Sequence, residues 1–246
     1  MSKSRITDYL TELKKEAGAL RELADGQSLD RPVPSRPDAT VADALADLVR
    51  LYRWTVEALR AGADEGDVPE PPPARPRGEA TLDEFDEALG RAVDALESRP
   101  LDAPAWSWAP VEWKAGFWHR RITVATGLAR WDVQMAVGAT APIPAALAAE
   151  TISEVFEAHI PAGHRRERTD AHGLAQLFAQ DADATWFVRL RDGHIALLDH
   201  PDHRIELQAR AAGSASDIAL ALWGRLPFGI CDVVGDEALL QSLRVE

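Results

Sequence analysis

The chain has 246 residues, 46% hydrophobic and 27% charged, enough for one large or two ordinary domains with real cores. A formal net charge of −13 argues against nucleic acid and against an anionic membrane face, both of which call for basic surface. The single cysteine, Cys231, excludes an intrachain disulfide framework or thiolate cluster; with no signal-peptide core and no bilayer-length apolar run, a cytoplasmic protein is expected.

The first helix is predicted over Thr7 to Ala24, where Tyr9, Leu10, Leu13, Ala17, Leu20 and Leu23 recur at helical spacing and Gly26 offers a stop. Leu29 to Pro37, with three prolines, reads as a connection and not an element. Thr40 with Asp43 forms a capping-box-like start to a second helix, whose stripe is Val41, Leu45, Leu48, Tyr52, Val56 and Leu59. Asp47 lies off the centre of that stripe. Residues 62–78 are acidic and then proline-rich, a long surface linker. Thr81 with Glu84 is a second capping box, opening a helix through Phe85, Leu89, Val93 and Leu96. A loop holding Trp106 and Trp108 leads to a fourth helix, from about Trp113 to Val137. A fifth is predicted over Pro144 to Ala158.

After a polar hinge, Pro161 to Ala171, the apolar period changes from helical to two. Strands are predicted around Leu174 to Phe178, Trp186 to Leu190, Ile195 to Leu198 and Ile205 to Ala209, with Asp192-Gly193 as a tight hairpin. Ser214 or Ser216 caps a helix over Asp217 to Leu226. A short segment at Ile230 to Val234 and a helix over Asp236 to Leu243 close the chain. The fold class is α+β: a four-helix bundle over 1–163, then a small α+β domain over 164–246.

The fourth helix carries the oddest face. Trp118, Arg121, Ile122, Ala125, Leu128, Ala129 and Asp132 share it, and a plain packing stripe would hold Leu or Ile where the two alanines stand. Either another helix approaches closely there or there is a hollow.

Phe117-Trp-His-Arg-Arg121 with Arg130-Trp-Asp132 resembles the mycothiol-dependent maleylpyruvate isomerase family. Thr40-Val-Ala-Asp43, Trp106-Ser-Trp-Ala-Pro110, Pro142-Ile-Pro144 through Phe156, and Ala215-Ser-Asp217 through Pro227 extend the likeness over nearly the whole chain. The resemblance implies a DinB-like bundle and a sterol-carrier-protein-like second domain. It also implies a divalent metal, held by two His and one Glu, that activates the thiol of mycothiol for addition to a substrate double bond. The family's ligand positions, however, fall at Asp47, Ala125 and Ala129, and alanine has no lone pair to give.

The expectation is therefore a divergent, metal-free member that binds or converts a small organic metabolite in a cavity between bundle and second domain. The conversion would be a metal-independent isomerisation or cyclisation. Asp47 would serve as acid or base, and Arg121 and Arg225 (the latter by resemblance a ligand contact) would hold an anionic group. Tyr52, Trp118, Ala125, Ala129 and Trp223 would line the site. No metal is expected; mycothiol and a divalent metal enter only if the family chemistry survives. The alternatives are that metal- and mycothiol-dependent isomerase or thiol transferase, and a non-catalytic binding or partner protein. A small-molecule ligand, no nucleic acid, no membrane, and a monomer or homodimer complete the expectations. His119 is expected at the rim, Cys231 as a small buried hydrophobe, and the Asp199-His-Pro-Asp-His203 and hinge clusters as solvated.

Overall fold

The computed structural model describes residues 8–64, 68–73, 78, 80–139, 141–164, 170–199 and 206–245. The chain divides into two compact units, Thr7–Ala141 and Pro142–Glu246. This differs from the boundary expected at 163/164. The fifth helix, α5 (Ala145–Glu154), goes with the second unit because it packs on α6 (Ala215–Leu222), and Ser216 Oγ accepts the Ile143 N–H at 3.0 Å.

The first unit holds α1 (Tyr9–Ala24), α2 (Val41–Ala61), α3 (Leu82–Glu97) and α4 (Ala115–Val137). Both predicted capping boxes form: Thr40 with Asp43 opens α2, and Thr81 with Glu84 opens α3. The α2 stripe is buried as expected, with Val41, Leu45, Leu48, Tyr52 and Leu59 all inside and Val56 half-buried. Side-chain links give the helix directions. Lys14 meets Glu97 and Arg21 meets Asp86, so α1 and α3 are antiparallel. Thr123 donates to the Tyr9 carbonyl and Arg130 to Glu16, so α1 and α4 run together. The proline linker returns along α2: Trp54 Nε1 donates to the Pro69 carbonyl, Arg50 to that of Pro72, and the Gly78 N–H to Asp43. Hence α2 and α3 are parallel, a bundle with one long crossover.

One segment departs from expectation. Between α1 and α2 the chain forms a small antiparallel hairpin, β1 (Pro32–Val33) and β2 (Arg36–Thr40). A ribbon of two strands has only edges, so its prolines remove no hydrogen bond that a neighbour needs.

The second unit carries a five-stranded sheet of β3 (Gly173–Ala179), β4 (Ala184–Arg191), β5 (His194–Leu198), β6 (Ala209–Gly213) and β7 (Asp232–Gly235), in the order β5-β4-β3-β6-β7. Only β3 and β6 are parallel. Asp192 and Gly193 turn the β4–β5 hairpin with φ of 51° and 76°, as the dipeptide predicts. Of the strand expected over Ile205 to Ala209, Ile205 lies outside the described residues, and β6 begins at Ala209. Gln208 precedes it, its side-chain oxygen accepting the Leu174 N–H at 2.6 Å and its own N–H donating to the Leu174 carbonyl. Ser214, not Ser216, caps α6, which ends at Leu222; Asp236 caps α7 (Glu237–Gln241).

Gly235 pairs with Ala209 at φ 89°, and a Cβ there would lie 2.1 Å from the Gln208 carbonyl oxygen. Gly235→Ala is expected to cost well over about 1 kcal/mol, since backbone must move. The same change at Gly193, with open space around it, meets only the strain of its dihedral. Urea midpoints of the two variants check the ordering.

Candidate functional site

The β1–β2 hairpin tip reaches both long helices of the bundle. Ser35 Oγ donates to Asp132 Oδ1 on α4 at 2.7 Å, and Arg36 Nη2 donates to Asp47 Oδ2 on α2 at 2.7 Å. The two acids differ in setting. Asp132 is buried, 1% exposed, whereas the Asp47 side chain is 60% exposed. Asp47, expected as an acid or base, lies off the α2 stripe and faces solvent, where it pairs with Arg36.

Tyr52 is wholly buried, and its hydroxyl lies 2.6 Å from Thr126 Oγ1. Thr126 Oγ1 gives its own proton to the Ile122 carbonyl, also 2.6 Å away, so Tyr52 is the donor to Thr126. Burial holds the phenol well above its ordinary range, outweighing this hydrogen bond. Tyr52 is thus a neutral tie between α2 and α4, with its one proton committed, and not a hydrogen-bonding wall for a ligand. Trp118 is likewise core. It is fully buried, donates Nε1–H to the Trp106 carbonyl at 2.5 Å, and packs among Trp106, Trp54 and Phe117.

Arg121 is buried at 8% exposure. Ala129 belongs to the bundle core at 7% exposure, and half-buried Ala125 packs against that core. Neither alanine lines the two concave places on the bundle described below.

His119, expected at the rim, is 4% exposed. It lies beside the start of α1 and the segment from Leu96 to Leu101. The histidine borders a cavity of about 230 Å³ together with Asp8, Tyr9 and Leu101, and its Nε2 finds no hydrogen-bond partner among the described residues. Burial lowers its pKa below the usual histidine value, against a weaker opposing pull from Asp8. A histidine that resists protonation when folded stabilises least at low pH, because the unfolded chain binds the extra proton. The melting temperature is expected to fall from about pH 7 to about pH 5 more steeply in the wild type than in His119→Gln.

In the second unit Arg225 and Trp223 stand together at the end of α6, Arg225 Nη1 donating to the Trp223 carbonyl at 2.8 Å. Trp223 is 6% exposed and meets the His159 ring edge-on at 4.7 Å. His159 Nε2 lies 3.3 Å from Glu154 Oε1, and both side chains are buried. Sequence reasoning missed this pair for a geometric reason. Residues five apart on an α-helix point about 140° away from each other. After α5 the backbone instead makes a π turn over Val155–His159, whose longer hydrogen-bonded ring brings residues five apart together. Nothing in the composition of Val155 to His159 signals that turn.

Cys231 is half-buried against Gly213, and burial pushes its thiol up to about 11, so it is a poor nucleophile at neutral pH. In the Asp199-to-His203 cluster only Asp199 is among the described residues, and Arg165, Arg166 and Arg168 of the hinge also lie outside them.

The site residues named from sequence are divided between the two units. Asp47, Arg121, Tyr52, Trp118, Ala125 and Ala129 lie in the bundle unit, and Arg225 and Trp223 in the other. Among the described residues no group of three or more His, Cys, Asp or Glu side chains is placed to hold a metal ion. Among the described residues no helix is long and apolar enough to cross a membrane.

The sequence profile of the mycothiol maleylpyruvate isomerase N-terminal domain matches residues 10–134. Among solved structures, the crystal structure of the mycothiol-dependent maleylpyruvate isomerase superposes with a TM-score of 0.61 at 12% identity, over 89% of this chain and 88% of that one. A crystal structure of a histidine-to-alanine mutant of that isomerase gives 0.57 at 15% identity, with the same coverage. At such identities the likeness is one of fold. No curated protein matches the chain in sequence.

Proposed function

Since this chain belongs to the mycothiol maleylpyruvate isomerase N-terminal domain family, we propose that it is a member that acts without the family's metal, binding a small organic metabolite or rearranging it by metal-independent isomerisation or cyclisation. The observation that carries this reading is the donor chemistry at the three positions where the resemblance places ligands. Ala125 and Ala129 offer only methyl groups, and the remaining carboxylate, Asp47, is exposed and paired with Arg36. An open metal site needs about three protein donors, and these residues do not supply them. No step is therefore routed through a metal-bound thiolate.

Binding is favoured over turnover. The groups proposed for proton transfer or ligand contact in the bundle have structural engagements: Tyr52 with Thr126, Asp47 with Arg36, Trp118 with Trp106. A general base needs a free lone pair and a donor a free proton; those of Tyr52 and Trp118 are spent in structural hydrogen bonds, which supports binding over turnover. Arg121, buried on α4, is the group proposed to meet an anionic part of the ligand at this site. Arg225 and Trp223 are the corresponding groups of the second unit.

The test is an isomerisation assay with maleylpyruvate and mycothiol, run with and without EDTA. No EDTA-sensitive turnover is expected. Turnover abolished by EDTA and restored by zinc would overturn the proposal in favour of the family's metal chemistry.

A further inference from the structure

The chain is acidic overall, yet the outer side of the bundle concentrates arginine. A groove of about 470 Å³ runs between α2 and α3, and Arg53, Arg60, Arg91 and Arg99 line it against only two acids, Glu57 and Asp94. Its apolar lining is half-buried Val56 and Ala95, over fully buried Leu59 and Ala88. The spacing explains how the groove forms. Arg53 and Arg60 are two turns apart and so share a side of α2, while Ala88, Arg91, Asp94, Ala95 and Ser98 recur every three or four residues along α3.

Part of this charge has a structural explanation. Because α2 and α3 are parallel, both carboxyl ends, with their partial negative charge, lie at the same end of the bundle. Arg60 stands in the last turn of α2, and Arg99, just beyond α3, donates to the Leu59 carbonyl. Those two cations answer the helix ends. Arg53 and Arg91 do not, since the effect fades within about one turn and both lie further back. Arg53 is half-buried and makes no hydrogen bond or ion pair with any described residue. Arg91 pairs with Glu87 at 2.6 Å, but the two side chains are 72% and 55% exposed, so the pair is readily exchanged for another anion.

We propose that this groove is a binding site for a small organic anion, a carboxylate or sulfonate carried on an apolar body. Arg53 and Arg91 grip the acid group, and Val56 and Ala95 take the apolar part. The volume lies within the usual range for small-molecule sites, roughly 300–1,000 Å³. The two-turn run from Arg53 to Arg60 is about 10 Å long, which suits a ligand of one or two rings or a short acyl chain. Guanidinium groups on both walls select an anionic, bidentate acceptor over a neutral compound of the same size. The groove contains none of Asp47, Ala125 or Ala129, so it stands or falls independently of the metal-free reading above.

The test uses 1-anilinonaphthalene-8-sulfonate as probe, with fluorescence for affinity and the arginine side-chain Nε–H resonances for location. Saturable binding is expected, with the Arg53 and Arg91 signals shifting on titration. The dissociation constant should rise by about tenfold or more in Arg53→Ala and further in Arg53→Glu. It should stay within about twofold in Arg189→Ala, an exposed arginine on β4 of the other unit. If Arg53→Ala does not fold, Arg91→Ala carries the same expectation. Unchanged affinity in the arginine variants, or shifts confined to other arginines, would overturn the proposal.

Discussion

Replacing Glu16 with alanine is expected to destabilise the bundle by about 3–5 kcal/mol. Glu16 Oε2 accepts from Arg130 Nε at 2.5 Å, and the two side chains are each 4% exposed. Arg130 also donates through Nη1 to Gln134 Oε1, so its fork is held on two sides between α1 and α4. Removing the carboxylate strands a guanidinium in the core, where its desolvation is no longer offset. Lys14→Ala is the control. Its partner Glu97 is also across a helix pair, but the side chains are 52% and 49% exposed. Water and salt screen such a pair, and its loss should cost under about 1 kcal/mol. Urea unfolding of both variants gives the comparison, and equal losses would show that the buried pair is dispensable.

Trp118→Ala is expected to cost about 3–5 kcal/mol, comparable to other buried aromatic truncations. The indole is fully buried, touches Trp54, Trp106 and Phe117, and satisfies the Trp106 carbonyl. Truncation therefore opens a cavity and leaves a buried acceptor without its donor. This outcome separates a core residue from a pocket wall. A wall residue facing a ligand hollow would lose little stability on truncation and would change ligand affinity instead. Thermal melts of the ligand-free protein read the difference directly.

Much of the architecture is legible in local sequence because local chemistry decides it. Thr40 with Asp43 and Thr81 with Glu84 mark helix starts since each side chain satisfies the other residue's backbone N–H. Asp192-Gly193 marks a hairpin since the turn needs positive φ at both positions. The β1–β2 hairpin is not legible, because its prolines argue for a connection and tertiary contacts, among them those of Ser35, Arg36 and buried Val33, hold it in place. The Glu16–Arg130 pair is hidden for another reason. Its members are 114 residues apart, and in sequence Glu16 is one more charge between apolar positions. Tyr52 and Asp47 show the limit of placing site residues from a helix stripe. The stripe tells which residues face inward, but not that Thr126 waits for the Tyr52 hydroxyl or that Arg36 draws Asp47 outward.

The family and the fold are settled by the match over residues 10–134 and by the two structural likenesses. The proposed distinction of this chain is the pair of alanines on α4, where the resemblance places a glutamate and a histidine. Elemental analysis of the wild-type protein, purified without chelators and then equilibrated with a small excess of zinc and desalted, addresses that distinction most directly. The account predicts well under about 0.1 zinc per chain, since two methyl groups and one exposed carboxylate cannot retain the ion. About one zinc per chain, lost on Asp47→Ala, would contradict it.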